Sequence, residues 1–136
     1  MILVDSSAWV EFDRATGSAV DTRVTELIAT EAPVTITEPV VMELLAGTRS
    51  DADEARMRRL LLRFALAPVD PVADFDAAAR LYRRCRARGV TPRGLIDCLI
   101  AAVAWRTGAA ILAADVDLSR IAGIIGIELD PASLRP

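Results

Sequence analysis

Two short apolar runs in this sequence each stop on an aspartate: Ile2-Leu3-Val4 on Asp5, and Ile111-Leu112-Ala113-Ala114 on Asp115. Two further acids interrupt apolar stretches, Glu43 in Val40-Val41-Met42-Glu43-Leu44-Leu45 and Asp97 in Leu95-Ile96-Asp97-Cys98-Leu99-Ile100. An isolated carboxylate in apolar surroundings is costly, so it needs a cation or takes up a proton. If all four gathered at one place they could not stay ionised unaided, because unit charges about 4 Å apart at an effective dielectric near 20 repel by about 4 kcal/mol per pair. A divalent metal is the natural compensation, and donors that are all oxygen point to the hard ions Mg²⁺ or Mn²⁺. Such an ion would orient and acidify a water and stabilise the charge of a phosphodiester under in-line attack. Each acid also has a plainer reading. Asp5 and Asp115 each precede a helix-like segment and would serve as N-caps; Asp97 would be a first-turn acid favoured by the helix dipole, and Glu43 a partly exposed surface acid.

The composition narrows the chemistry further. Histidine is absent, and all sixteen basic residues are arginine. That excludes a Ser-His-Asp triad, imidazole zinc ligands, a lysine Schiff base and a phosphate-loop lysine. If the chain is an enzyme, carboxylates do the work. The net charge of −3 argues against a protein that wraps nucleic acid, while leaving room for a local arginine surface that holds phosphate. Cys85 and Cys98 sit in helix-like segments without CxxC spacing and read as buried small apolar side chains.

The elements that must position the acids follow from periodicity. Ile2 to Val4 reads as a strand, and Ser6-Ser7 opens a helix carrying Ala8, Trp9 and Phe12. A helix over 18–31 precedes a strand at Val34-Thr35-Ile36; Thr37-Glu38-Pro39 starts a helix that stops at Gly47. Helices are expected over 51–66, from Pro71 to Gly89 with an apolar stripe of Phe75, Ala78, Ala79, Tyr82 and Cys85, and over 95–106. Ala67-Pro68-Val69 reads as a short strand or connector, Ala110 to Ala114 as a buried strand, Asp117 to Ala122 as a short helix and Ile127-Glu128-Leu129 as a last strand. Alternating strands and helices predict a three-layer α/β/α sandwich with a mostly parallel sheet of about five strands, where ligands bind at the carboxyl ends. One domain over 1–136 is expected, in a soluble cytoplasmic protein with no membrane span.

Taken together the segments resemble a known family. Met1-Ile2-Leu3-Val4-Asp5-Ser6-Ser7-Ala8-Trp9 resembles the start of a PIN domain, Glu38-Pro39-Val40-Val41-Met42-Glu43-Leu44-Leu45-Ala46-Gly47 its acidic helix, Arg88-Gly89 through Leu95-Ile96-Asp97-Cys98-Leu99-Ile100-Ala101-Ala102 its third acidic element, and Ile111 through Leu118 its fourth. In order and length the match is to the VapC toxin subunits of VapBC toxin–antitoxin pairs. The resemblance implies an endoribonuclease whose acids Asp5, Glu43, Asp97 and Asp115 bind Mg²⁺ or Mn²⁺, with Asp117 assisting the metal site and Ser6 orienting the groups around it. It implies cleavage of single-stranded regions of structured RNA to a 3′-hydroxyl and a 5′-phosphate, inhibition by a cognate VapB-type antitoxin that occupies the groove, and a homodimer. Relatives commonly carry Thr, His or Asn where Ala113 and Ala114 stand, and an aromatic in place of Leu118.

Among the arginines, Arg93 lies just before the Asp97 helix and is placed to touch phosphate, whereas Arg84 and Arg88, with Arg80 and Arg83, form either a solvated face or an RNA-backbone contact. Trp9 and Tyr82 read as packing residues before stacking platforms. Two other families place carboxylates and Mg²⁺ at strand ends, the response-regulator receivers and the haloacid-dehalogenase phosphatases, but both use a lysine that this chain lacks. A non-catalytic PIN-like binding module is the remaining alternative; it has no chemical need for four acids.

Overall fold

β1 (Ile2–Val4) lies inside the sheet, with β2 (Val34–Ile36) on one side and β4 (Ala110–Leu112) on the other; β3 (Ala65–Leu66) extends the sheet beyond β2. These strands come from a computed structural model that describes residues 1–136. Every strand pair is parallel, and the register sets Leu3 opposite both Thr35 and Ile111. Successive residues of a strand point to opposite faces, and Leu3 and Val4 are both fully buried, so both faces of the sheet are covered.

The cover consists of α1 (Ser6–Asp13), α2 (Ala19–Ala29), α3 (Glu38–Ala46) and α4 (Asp51–Leu61), which pack on one another, and of α5 (Ala73–Ala87), α6 (Leu95–Thr107) and α7 (Val116–Ile125), which do likewise. The result is the expected three-layer α/β/α arrangement. α6 is its central helix: Cys98 through Ala104 are all buried, and the small side chains of Ala101, Ala102 and Ala104 let it lie close to its neighbours. Its left-handed stop at Gly108, φ 72°, is a conformation that a Cβ would penalise.

The sheet has four strands, not five. Leu129 makes a single bridge to Ile111, flanked by the bonds Ile111 N to Glu128 O at 2.9 Å and Asp130 N to Ile111 O at 2.8 Å. Pairing through one residue does not build a strand, and Pro131 then removes the next donor. The third strand also falls two residues earlier than expected, because α4 ends at Leu61 and the chain turns at once into Ala65–Leu66, leaving Pro68 outside the ladder.

Two buried carboxylates hold elements together without belonging to any site. Asp74 on α5 is 1% exposed and is gripped by Arg106 of α6 at 2.8–3.2 Å; Asp130 near the C-terminus is bound by Arg23 of α2. The Asp74 contact turns α5 relative to the predicted stripe: Ala78 and Cys85 are buried as expected, while Phe75 is 57% exposed. Cys85 and Cys98 are buried free thiols, and burial pushes the Cys98 thiol up to about 11. No helix is long and apolar enough to cross a membrane.

Candidate active site

A parallel sheet presents all its carboxyl ends at one edge, and that edge is where the acids meet. Asp5 follows β1 and Asp115 follows the segment after β4; the Asp5 amide donates to Leu112 O at 2.9 Å, tying the two strand ends together. Glu43 reaches the edge from α3, which begins directly after β2, and Asp97 from the first turn of α6. Asp5, Glu43, Asp97 and Asp115 all line one open cleft of about 560 Å³. The plainer readings hold as well for both strand-end residues, since Asp5 caps α1 through Ser7 N and Asp115 caps α7 through Asp117 N.

Asp5 is 2% exposed. Its Oδ2 accepts the Ser7 amide at 3.1 Å and the Ser7 hydroxyl at 2.6 Å, whereas the equally buried Oδ1 has no protein partner. Burial, reinforced by the charge of Glu43, raises its pKa to about 6. Asp97 is raised to about 7, first by burial and then by the charges of Asp5, Asp115, Glu43 and Asp117. These shifts come first from desolvation and only second from the neighbouring acids. Glu43 is exposed to the cleft while Val40 and Leu44 of the same helix are buried, and its Oε1 accepts the Ser6 hydroxyl at 3.0 Å. Asp115 receives Arg93 Nη2 on both oxygens at 2.7 Å, and the nearly buried Asp117, outside the cleft lining, accepts the Arg93 amide at 3.2 Å.

Of the arginines expected to meet phosphate, Arg93 does stand among the acids; Arg84 and Arg88 are exposed on or just after α5 and do not line the cleft. Arg83, grouped with them in the sequence, shares a shallow cleft with Arg93, Tyr82 and Gly94. Trp9 is a buried packing residue against Phe12 and Phe64. Sequence reasoning also missed Ser7, whose oxygen both serves Asp5 and accepts Ala114 N at 2.9 Å; a hydroxyl two residues past an N-cap was the available signal. It missed the acidic wall of the cleft too: Glu11 and Asp13 from α1 and Asp53 from α4, the last two sharing Arg56 at 2.6 Å each.

The donor set suits a hard divalent cation. Every ionisable side chain lining the cleft that could ligate an ion is a carboxylate, with Arg14 the one cation among the lining residues; Asp5 Oδ1 is buried without a partner, and Asp5 and Asp97 are held against ionisation first by burial and then by neighbouring carboxylates. As placed, no three of the chain's His, Cys, Asp and Glu side chains form a finished ligand group. At Asp115 both oxygens are taken by Arg93.

The PIN domain family matches residues 2–124. Ribonuclease VapC11 of Mycobacterium tuberculosis is 43% identical over 129 residues, covering 94% of this chain and 96% of that protein. The chain belongs to the PIN-domain family, among the VapC ribonucleases. The VapC ribonuclease Mb1587 of Mycobacterium bovis shows the same identity and coverage. Among solved structures, VapBC2 from Rickettsia felis bound to a promoter DNA fragment shares the PIN fold at a TM-score of 0.71 with 17% identity, covering all of this chain and 98% of that one. Mycobacterium tuberculosis VapC20, a toxin that cleaves the sarcin-ricin loop, superimposes with a TM-score of 0.70 at 20% identity, each chain covered in full. The PIN fold accounts for the parallel sheet edge on which the acids converge.

Proposed function

We propose that this PIN domain, a single unit over residues 1–136, is a Mg²⁺- or Mn²⁺-dependent endoribonuclease and the toxin of a toxin–antitoxin pair acting in the cytoplasm. The observation that carries the reading is the meeting of Asp5, Glu43, Asp97 and Asp115 in one cleft, with Asp5 Oδ1 buried and unpartnered. Those four residues would hold the ion, and Asp117, beside Asp115, would assist. When bound, the ion supplies an acidified water and neutralises charge on a phosphodiester. The chain's own contribution is positioning. Ser7 fixes Asp5 by one oxygen and leaves the other free, Ser6 holds Glu43, and the start of α7 holds Asp115. Arg93, with Arg83 beside it and Arg84 and Arg88 further along, would bind the backbone of single-stranded RNA leading into the cleft.

The VapBC complexes among the structural neighbours support a VapB-type antitoxin as partner; the homodimer that the sequence resemblance implies belongs to the same reading. A purely binding module leaves unexplained why burial and mutual repulsion are tolerated at Asp5 and Asp97. The decisive experiment uses antitoxin-free protein and a structured RNA. Cutting with Mg²⁺ or Mn²⁺ is expected, lost with EDTA and reduced at least about 100-fold by Asp5→Asn or Asp97→Asn while the circular dichroism spectrum stays native. Undiminished cutting by both variants would remove these acids from the reaction.

A further inference from the structure

Arg93 occupies the place where positive charge is needed. One of its guanidinium nitrogens lies 2.7 Å from each oxygen of Asp115, and Nε lies 3.5 Å from Asp117 Oδ2. Those oxygens are then committed: Asp115 Oδ1 also accepts the Asp117 amide at 2.9 Å. A Mg²⁺ ion binds its oxygens at about 2.0–2.1 Å and tolerates little distortion. An ion on an Asp115 oxygen would compete with that guanidinium, since the two positive charges would stand within a few ångströms of one another and the carboxylate would be shared between them.

The attachment of Arg93 is built so that its two ends behave differently. Its backbone is pinned, with the amide donating to Asp117 Oδ2 at 3.2 Å and the preceding Pro92 buried. Its side chain is 69% exposed and makes no hydrogen bond except to these acids. Swinging the guanidinium into solvent therefore breaks the Asp115 contact and leaves the loop in place.

We propose that Arg93 is a built-in counter-ion that occupies Asp115 in the cation-free protein, competes with the divalent ion for that carboxylate, and is released when the ion binds. This rests on the metal-site reading above and gives it a gate: Asp115 and Asp117 keep a cation beside them until the ion arrives, and cation affinity is set partly by a residue that does not ligate.

The test measures Mn²⁺ affinity by the loss of free-ion EPR signal for the whole chain, free of antitoxin, as wild type, Arg93→Gln and Arg93→Lys. Removing the competitor should tighten Mn²⁺ binding by about 5-fold or more in Arg93→Gln. Arg93→Lys, which keeps a charge but not the planar fork, should fall between the two. Because Arg93→Gln removes the cation beside the buried Asp117, each variant is shown by circular dichroism to be folded in the same buffer, well below its own melting transition. In parallel, the Arg93 Nε–H NMR signal of the wild type should shift on Mg²⁺ addition. Equal or weaker Mn²⁺ binding by Arg93→Gln, alongside saturable binding by the wild type, overturns the competition and leaves the metal site standing. No binding by any of the three overturns both together.

Discussion

The Ser7 hydroxyl donates to Asp5 Oδ2 at 2.6 Å, and because the same oxygen accepts Ala114 N at 2.9 Å, it joins the end of β1 to the segment that leads into Asp115. Removing it in Ser7→Ala leaves the half-buried Ala114 amide unpaired and holds Asp5 Oδ2 by the Ser7 amide alone. A loss of about 1–3 kcal/mol in stability is expected from urea midpoints at constant slope. Cutting should fall about 10- to 100-fold, the usual cost of losing a residue that orients a metal-binding carboxylate. Ser6→Ala, whose partner Glu43 is exposed, should cost less than 1 kcal/mol.

The cation-free protein should become less stable as pH rises from about 5 to 8. Asp5 and Asp97 have folded-state pKa values of about 6 and about 7, above the usual carboxylate value, so in that window the folded chain holds protons that the unfolded chain has lost. Stability then declines with pH, by on the order of 2 kcal/mol for the deeply buried Asp5. Mg²⁺ or Mn²⁺ in excess should flatten the decline, because it favours the ionised carboxylates. Asp97→Asn should be more stable than wild type at pH 8 without metal and should gain less from adding it. Thermal melts at three pH values, with and without metal, check all of this; stability that climbs with pH in the cation-free protein would contradict it.

Away from the cleft, Arg106→Ala strands the buried Asp74 without its cation. A loss of about 3 kcal/mol is expected, visible as a large drop in melting temperature. Residual folded protein at low temperature should still cut RNA at near wild-type rate, since Arg106 and Asp74 do not line the cleft.

The site was legible where a local pattern decided position. Asp5 and Asp115 end apolar strands, and a parallel sheet carries both to one edge; Asp97 and Glu43 break apolar helical runs. What could not be read depended on partners far along the chain. Ser7 finds Ala114, 107 residues away, and Asp13 meets Arg56 across 43 residues. The expected fifth strand failed because hydropathy at Ile127 to Leu129 does not report how many bonds Ile111 can offer. Phe75 was assigned to the core because the pattern favours apolar residues; Asp74 took the inward place because Arg106 was waiting for it.

The position of β1 between β2 and β4 has a consequence for synthesis. β1 leaves the ribosome first, yet its partner at Ala110–Leu112 follows more than 100 residues later, which at about 5–20 residues per second is a delay of roughly 5–20 s. Asp97 and Asp115 emerge just as late, so a chain stopped before them has no assembled cleft, and whatever the four acids do together begins only after Asp115 has been made.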